Sequence, residues 1–245
     1  ARFGAVSRIL GEIQTSYLFD VSPLEEHLRR AIGARSLKQT SIRLAINTVD
    51  VKKGTVVRIV NHPPQKHPKA STSHYHYHPE ITFDMILASA AIPLIFNPVR
   101  VGELTLWDGG LLVNSPLAPA VALGAQQIIP VLVTAESPNG PNRLALDTFG
   151  RGVERLVDTF LENAYRADRK LLLDRNELAA RFGDDDLSVV ELYRAIRPIS
   201  ENLFNAGSYL FFEREALAAM FESGKEAARQ WLQRGPRLDS RDIPN

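Results

Sequence analysis

The chain has no cysteine anywhere in its 245 residues, and only two methionines and two tryptophans. Without cysteine there is no disulfide framework, no thiolate metal site and no cysteine nucleophile, which fits a reducing compartment. No apolar run approaches the roughly 18 residues expected of a membrane span. Ala1-Arg2-Phe3-Gly4 is not followed by the apolar core of a signal peptide. The expected localisation is cytoplasmic or peripheral to a membrane. Net charge is also lacking, at +1, so no global basic field marks the chain for nucleic acid. Charge is nonetheless unevenly spread. Residues 1–80 hold 12 Lys/Arg against 6 Asp/Glu, and the remainder 17 against 22. A basic first third suits plain solvation or approach to an anionic lipid surface.

What is present reads as α/β. Residues 22–33 carry a helix: Ser22 suits the N-cap, Pro23 the first helical position and Gly33 the stop. Residues 42–49 and 55–60 are β-branched and apolar around a turn ending in Gly54, which predicts neighbouring strands. Residues 62–80 form a polar loop with prolines at 63, 64, 68 and 79. Residues 81–92 predict a helix started by Thr82 or Glu80 and ended by Pro93. Ser115-Pro116 is an N-cap followed by a proline at the first helical position, opening a helix that Gly124 terminates. Residues 127–134 predict a buried strand, and 188–196 a last one. Residues 144–174 predict a long helix with Leu146, Phe149, Val153, Leu156, Phe160, Ala164 and Leu171 as its apolar stripe. Arg151, Arg155, Asp158, Arg166 and Arg169 are candidates for its wet side. Helices at about 213–222 and 225–233 close the chain around Gly224. No linker splits it, so residues 1–245 are expected to form a single domain.

Asp108-Gly109-Gly110 is the candidate for chemistry. Asp-Gly between apolar runs is a strong hairpin signal. An aspartate at a strand end, followed by residues without Cβ, also leaves its carboxylate facing an open cleft, where it can act as a general base. Both readings stand on these residues alone.

The surroundings favour chemistry. Ala88-Ser89-Ala90-Ala91-Ile92-Pro93, Phe96, Pro98, Asp108-Gly109-Gly110, Asn114, Pro116 and Gly124-Ala125 fall in register with the later part of the patatin-like phospholipase family, which residues 86–131 resemble. Residues 16–28 and 197–232 also resemble patatin-like sequence. The resemblance implies a three-layer α/β/α sandwich with a central, mostly parallel sheet. It implies a serine acyl-ester hydrolase acting on a lipid or acyl ester, without cofactor or metal. In that family a serine in Gly-x-Ser-x-Gly, at a sharp strand-to-helix turn, attacks the ester carbonyl. The aspartate, here Asp108, activates it without histidine. An acyl-enzyme forms and water releases the acid, while a glycine-rich loop stabilises the oxyanion. Gly109 and Gly110 are expected to shape the site.

The chain departs from that pattern at two points, having neither the nucleophile motif nor the glycine-rich oxyanion loop. Gly-x-Ser-x-Gly is absent: Gly4-Ala5-Val6-Ser7-Arg8 has its serine one place late, and Leu87-Ala88-Ser89-Ala90-Ala91 has a bulky residue where a small one is needed. The chain is therefore expected to be the C-terminal part of a patatin-like domain, lacking its N-terminal strand or strands and beginning after the nucleophile helix. The alternative is a catalytically inactive patatin-fold binding or scaffold protein.

Five of the six histidines fall in residues 62–78, with His74, His76 and His78 alternating with Tyr75 and Tyr77. Extended, that stretch puts three imidazoles on one face, where zinc or nickel would bind. As a polar surface loop it needs no ligand, and no metal is expected. A third reading has the loop rim the substrate cleft, with Tyr75 and Tyr77 against lipid. Ser89 and Asn114 are expected to pack and to hold a turn.

Overall fold

A computed structural model describes residues 22–32, 41–65, 74–113, 116–133, 149–183, 188–198 and 214–240. Its mixed α/β elements group into two compact units. One is drawn from residues 1–64 and 68–113, the other from 65–67 and 114–245.

The first unit is built on a five-stranded sheet. Helix α1 (Ser22–Ile32) precedes strands β1 (Ala45–Asp50), β2 (Thr55–Val60) and β3 (Tyr75–Tyr77). Helix α2 (Phe83–Ala88) follows, then β4 (Val99–Val101) and β5 (Leu104–Asp108). The strand order is β3-β2-β1-β5-β4. β1 pairs antiparallel with β2 and β5, β4 pairs antiparallel with β5, and only β2–β3 is parallel. This five-stranded sheet is thus mixed and largely antiparallel, where a mostly parallel one was expected. The reason is local: β1–β2 and β4–β5 are joined by tight turns, which only antiparallel neighbours allow. Gly54 and Gly102 supply the left-handed backbone there, at φ 64° and 58°. Asp50 fixes the first turn by accepting from the N–H groups of Lys52 and Lys53.

Alternation gives the sheet two faces. On one, Ile46, Val57, Ile59 and Leu106 pack with Ile81 and with Met85 and Ala88 of α2. Thr82 caps α2 as expected, its hydroxyl accepting from Met85 N–H. The helix stops at Ala88, well before Pro93. The other face carries Asn47, Val49, Arg58, Val60 and Trp107 by register. The His/Pro segment is not all loop, since its alternating end supplies β3.

The second unit contains α3 (Leu117–Ala122), β6 (Gln127–Ile128), α4 (Phe149–Phe182), β7 (Glu191–Leu192) and α5 (Arg214–Arg234). β6 and β7 run parallel, and Val131 bridges Ile196 further along. Leu117, Val121, Ile128, Leu172, Val190 and Leu192 form the core.

Four details differ from expectation. Pro116 occupies the N-cap of α3, and the helix begins at Leu117. The strand expected at 127–134 is neither continuous nor buried throughout. Pro130 cannot donate to a ladder, and Ile129, Val131 and Val133 are exposed while Ile128 and Leu132 are buried. The two closing helices are one, running through Gly224, because a glycine inside a helix weakens it without stopping it. Finally, Leu171 on α4 is 66% exposed, and the buried positions are Tyr165, Leu172 and Ala179. Leu146 and the side chains of Phe149, Val153, Leu156 and Phe160 lie outside the described residues.

Candidate functional site

Asp108 is the last residue of β5, paired with Thr48 of β1. Its own N–H donates to Ala91 O at 2.9 Å, which ties the strand end to the segment after α2. The chain does not turn back as a hairpin at this point. Gly109–Leu111 forms a single 3-10 turn with Asp108 as its N-cap. Asp108 Oδ1 accepts from Gly110 N–H at 2.7 Å. Oδ2 takes no partner among the described residues.

Gly109 is required by space rather than by backbone angle. A Cβ there would lie 2.5 Å from both the carbonyl carbon and the oxygen of Asn47. Thr48 faces Asp108 and Val49 faces Trp107, so Gly109 sits opposite Asn47 as the next step of the same register. Only a residue without a side chain lets the turn lie this close to β1.

Burial pushes the Asp108 carboxyl above its ordinary range, while the Gly110 N–H pulls the other way and does not cancel it. The result is a carboxylate of raised basicity with one oxygen held and one open. That suits proton abstraction from a hydroxyl.

The other candidates fall elsewhere. Ser89 caps the C-terminus of α2, and its hydroxyl donates to Ile86 O at 2.8 Å. Asn114 and Ser7 lie outside the described residues. Of the three alternating imidazoles only His76 lies within β3, where it faces Ile59 across the ladder, and His74 and His78 flank the strand. Burial lowers the His76 pKa, and the positive character of His78 and Lys53 lowers it further, against Asp50. Among the described residues no cluster of three or more His, Asp or Glu side chains is placed to hold a metal ion. No described helix is long and apolar enough to cross a membrane.

Sequence reasoning missed Asn47. It is 9% exposed, and both atoms of its amide are buried without a hydrogen-bond partner. An asparagine inside the run Ala45–Asp50 was the available signal, because strands disfavour it.

The family model for patatin-like phospholipase matches residues 1–121, a span that includes Asp108-Gly109-Gly110 and excludes nearly all of the second unit. No curated protein matches the chain.

Proposed function

We propose that the protein is a lipid acyl hydrolase of the patatin-like kind, with Asp108 as the base of a Ser-Asp dyad. The serine would come from a Gly-x-Ser-x-Gly turn outside these 245 residues, of which the present chain is the C-terminal part. The complete domain would then be the three-layer sandwich with additional parallel strands. Asp108 accepts the serine proton, the serine oxygen attacks the ester carbonyl, and the alcohol leaves. Water then releases the acid from the acyl-enzyme. Gly109 and Gly110 keep the approach to Asp108 clear of side chains. Its partners are a lipid or acyl ester and, peripherally, a membrane surface.

One observation carries this reading: a partly buried strand-end carboxylate with one oxygen fixed by Gly110 and its basicity raised by burial. The match of residues 1–121 to a phospholipase family supports the substrate class. The test is hydrolysis of a short-chain phospholipid and of a nitrophenyl ester by the protein containing the Gly-x-Ser-x-Gly segment. Wild type is expected to turn over, and Asp108→Asn to lose activity. Equal turnover in Asp108→Asn would remove Asp108 from the chemistry. Inactivity of the wild type on both substrates would favour the inactive binding or scaffold protein.

A further inference from the structure

The face of the sheet away from α2 carries a polar row that hydrolysis does not use. Asn47 on β1 pairs with Arg58 on β2, and Arg58 with Tyr75 on β3. Directly paired side chains on adjacent strands lie within contact of one another. Gly109 closes the row beside Asn47, where its missing Cβ leaves the backbone against β1. The row therefore leads from the part-exposed β3 edge to the Asp-Gly-Gly turn.

Its chemistry is one-sided. The Arg58 guanidinium carbon lies 5.2 Å from the centroid of the Tyr75 ring. Among the described residues no carboxylate pairs with Arg58. Arg58 Nε is buried without a hydrogen-bond partner, as are both amide atoms of Asn47. The indole Nε1 of Trp107, next along the same face beyond Val49, is in the same condition. Buried polar groups in native folds are nearly always paired, and the exceptions call for a missing ligand or water. Three N–H donors, one of them on an unneutralised guanidinium, ask for an oxyanion. The single acceptor, Asn47 Oδ1, suits the O–H of a protonated one. The gradient of burial fits entry from one side: Asn47 is buried, Arg58 and Tyr75 are half-buried, and Tyr77 at the edge is exposed.

We propose that the Asn47–Arg58–Tyr75 row, with Trp107 beside it, is a binding site for a phosphate group. Arg58 supplies the charge, and Asn47 and Trp107 orient the oxygens. The Asp108 carboxylate, paired with Thr48, lies on the opposite face of the sheet, so binding of phosphate does not depend on the hydrolase reading, and a phospholipid head group and free phosphate are the two sources of that chemistry.

The test is a titration of the full chain with inorganic phosphate at constant ionic strength, followed by calorimetry and by the indole N–H resonances. Saturable binding is expected, moving the Trp107 indole signal. The Trp231 signal is expected to stay put, because that N–H already donates to Arg194 O at 2.8 Å. Arg58→Gln is expected to weaken binding at least tenfold and Arg58→Lys to recover part of it. Asn47→Leu is expected to weaken it several-fold while melting no lower than wild type, because it removes the unpaired amide. That separates a ligand role from a structural one. Asp108→Asn is expected to keep phosphate binding while losing hydrolysis, so the two readings fail separately. Displacement of phosphate by dihexanoyl phosphatidylglycerol and not by dihexanoylglycerol supports the head group as source. Failure of both to displace it supports free phosphate at the same site. Absence of saturable binding to wild type, or equal affinity in a folded Arg58→Gln, overturns the proposal.

Discussion

The two units handle their buried polar groups differently. In the helical unit several of them are closed off inside the fold. Arg169 on α4 meets Asp239 through two hydrogen bonds of 2.6 and 2.7 Å and also donates to Ser240 O. Arg197 reaches Glu162 at 3.0 Å, and Asn176 holds both the N–H and the carbonyl of Val190. Burial raises the Tyr165 phenol to about 12, helped by Asp239 and opposed by Arg197 and Arg169. In the sheet unit, by contrast, Asn47, Arg58, Asn97 and Trp107 keep buried atoms unpaired, and Asp108 keeps one oxygen open. Each unpaired buried group costs about 1–3 kcal/mol, so the several in the sheet unit are a cost that stability alone does not explain. Paired polar groups stabilise the helical unit, whereas the open ones of the sheet unit lie where a ligand is proposed to act.

Substitutions sharpen that contrast. The largest effect is expected at Asp108. Replacing it with Asn keeps the acceptor for Gly110 N–H but removes the base, and hydrolysis is expected to fall by about 10²–10⁴-fold. Stability moves the other way. A carboxyl whose folded pKa is raised binds its proton more tightly in the folded state than in the unfolded one. Stability is therefore lost as pH rises from the ordinary Asp range through the folded pKa. Asp108→Asn removes that loss, so at neutral pH the variant is expected to melt at or above wild type. A lower melting point would show that the charge is compensated inside the fold.

Next in size is Arg169→Ala. Both partners of this pair are largely buried, and leaving Asp239 alone is expected to cost about 3 kcal/mol. Hydrogen exchange should quicken along α4 and in residues 237–240, with little change in β1 and β2. Equal loss in the sheet unit would break the comparison. Gly109→Ala is expected to cost about 1–3 kcal/mol by overpacking against Asn47. Denaturant unfolding followed at Trp107 reads it, and an unshifted midpoint would mean the turn has room. The smallest effect is Gly224→Ala. No atom lies near the position where its Cβ would go, so α5 should gain up to about 1 kcal/mol. A lower melting point there would point to a need for the glycine.

Local chemistry was legible in the sequence where one residue type settles the matter. Thr82 as a cap, Gly54 as a turn and the β-branched run of β2 are of this kind. Pairing direction was not, because a strand's composition does not say which neighbour it takes. The seam of α4 was hidden for another reason. Its inward positions, Tyr165, Arg169, Leu172, Asn176 and Ala179, follow a three-four spacing, but two of the five are polar. A count of apolar residues alone drifts off that seam to Leu171. Asp108 stood out because its neighbours resemble a known pattern. Asn47 did not, because its meaning depends on Arg58, Tyr75 and Gly109, which only the register brings to one row.

The central claim is that Asp108 is a base made stronger by burial. Its most direct test is the pH dependence of kcat/KM for ester hydrolysis by the protein carrying the serine segment, in wild type and Asp108→Asn. The wild type is expected to show an ascending limb with its midpoint above the ordinary carboxylate range, and the variant to lose that limb along with its activity. A limb that persists unchanged in Asp108→Asn would contradict the claim.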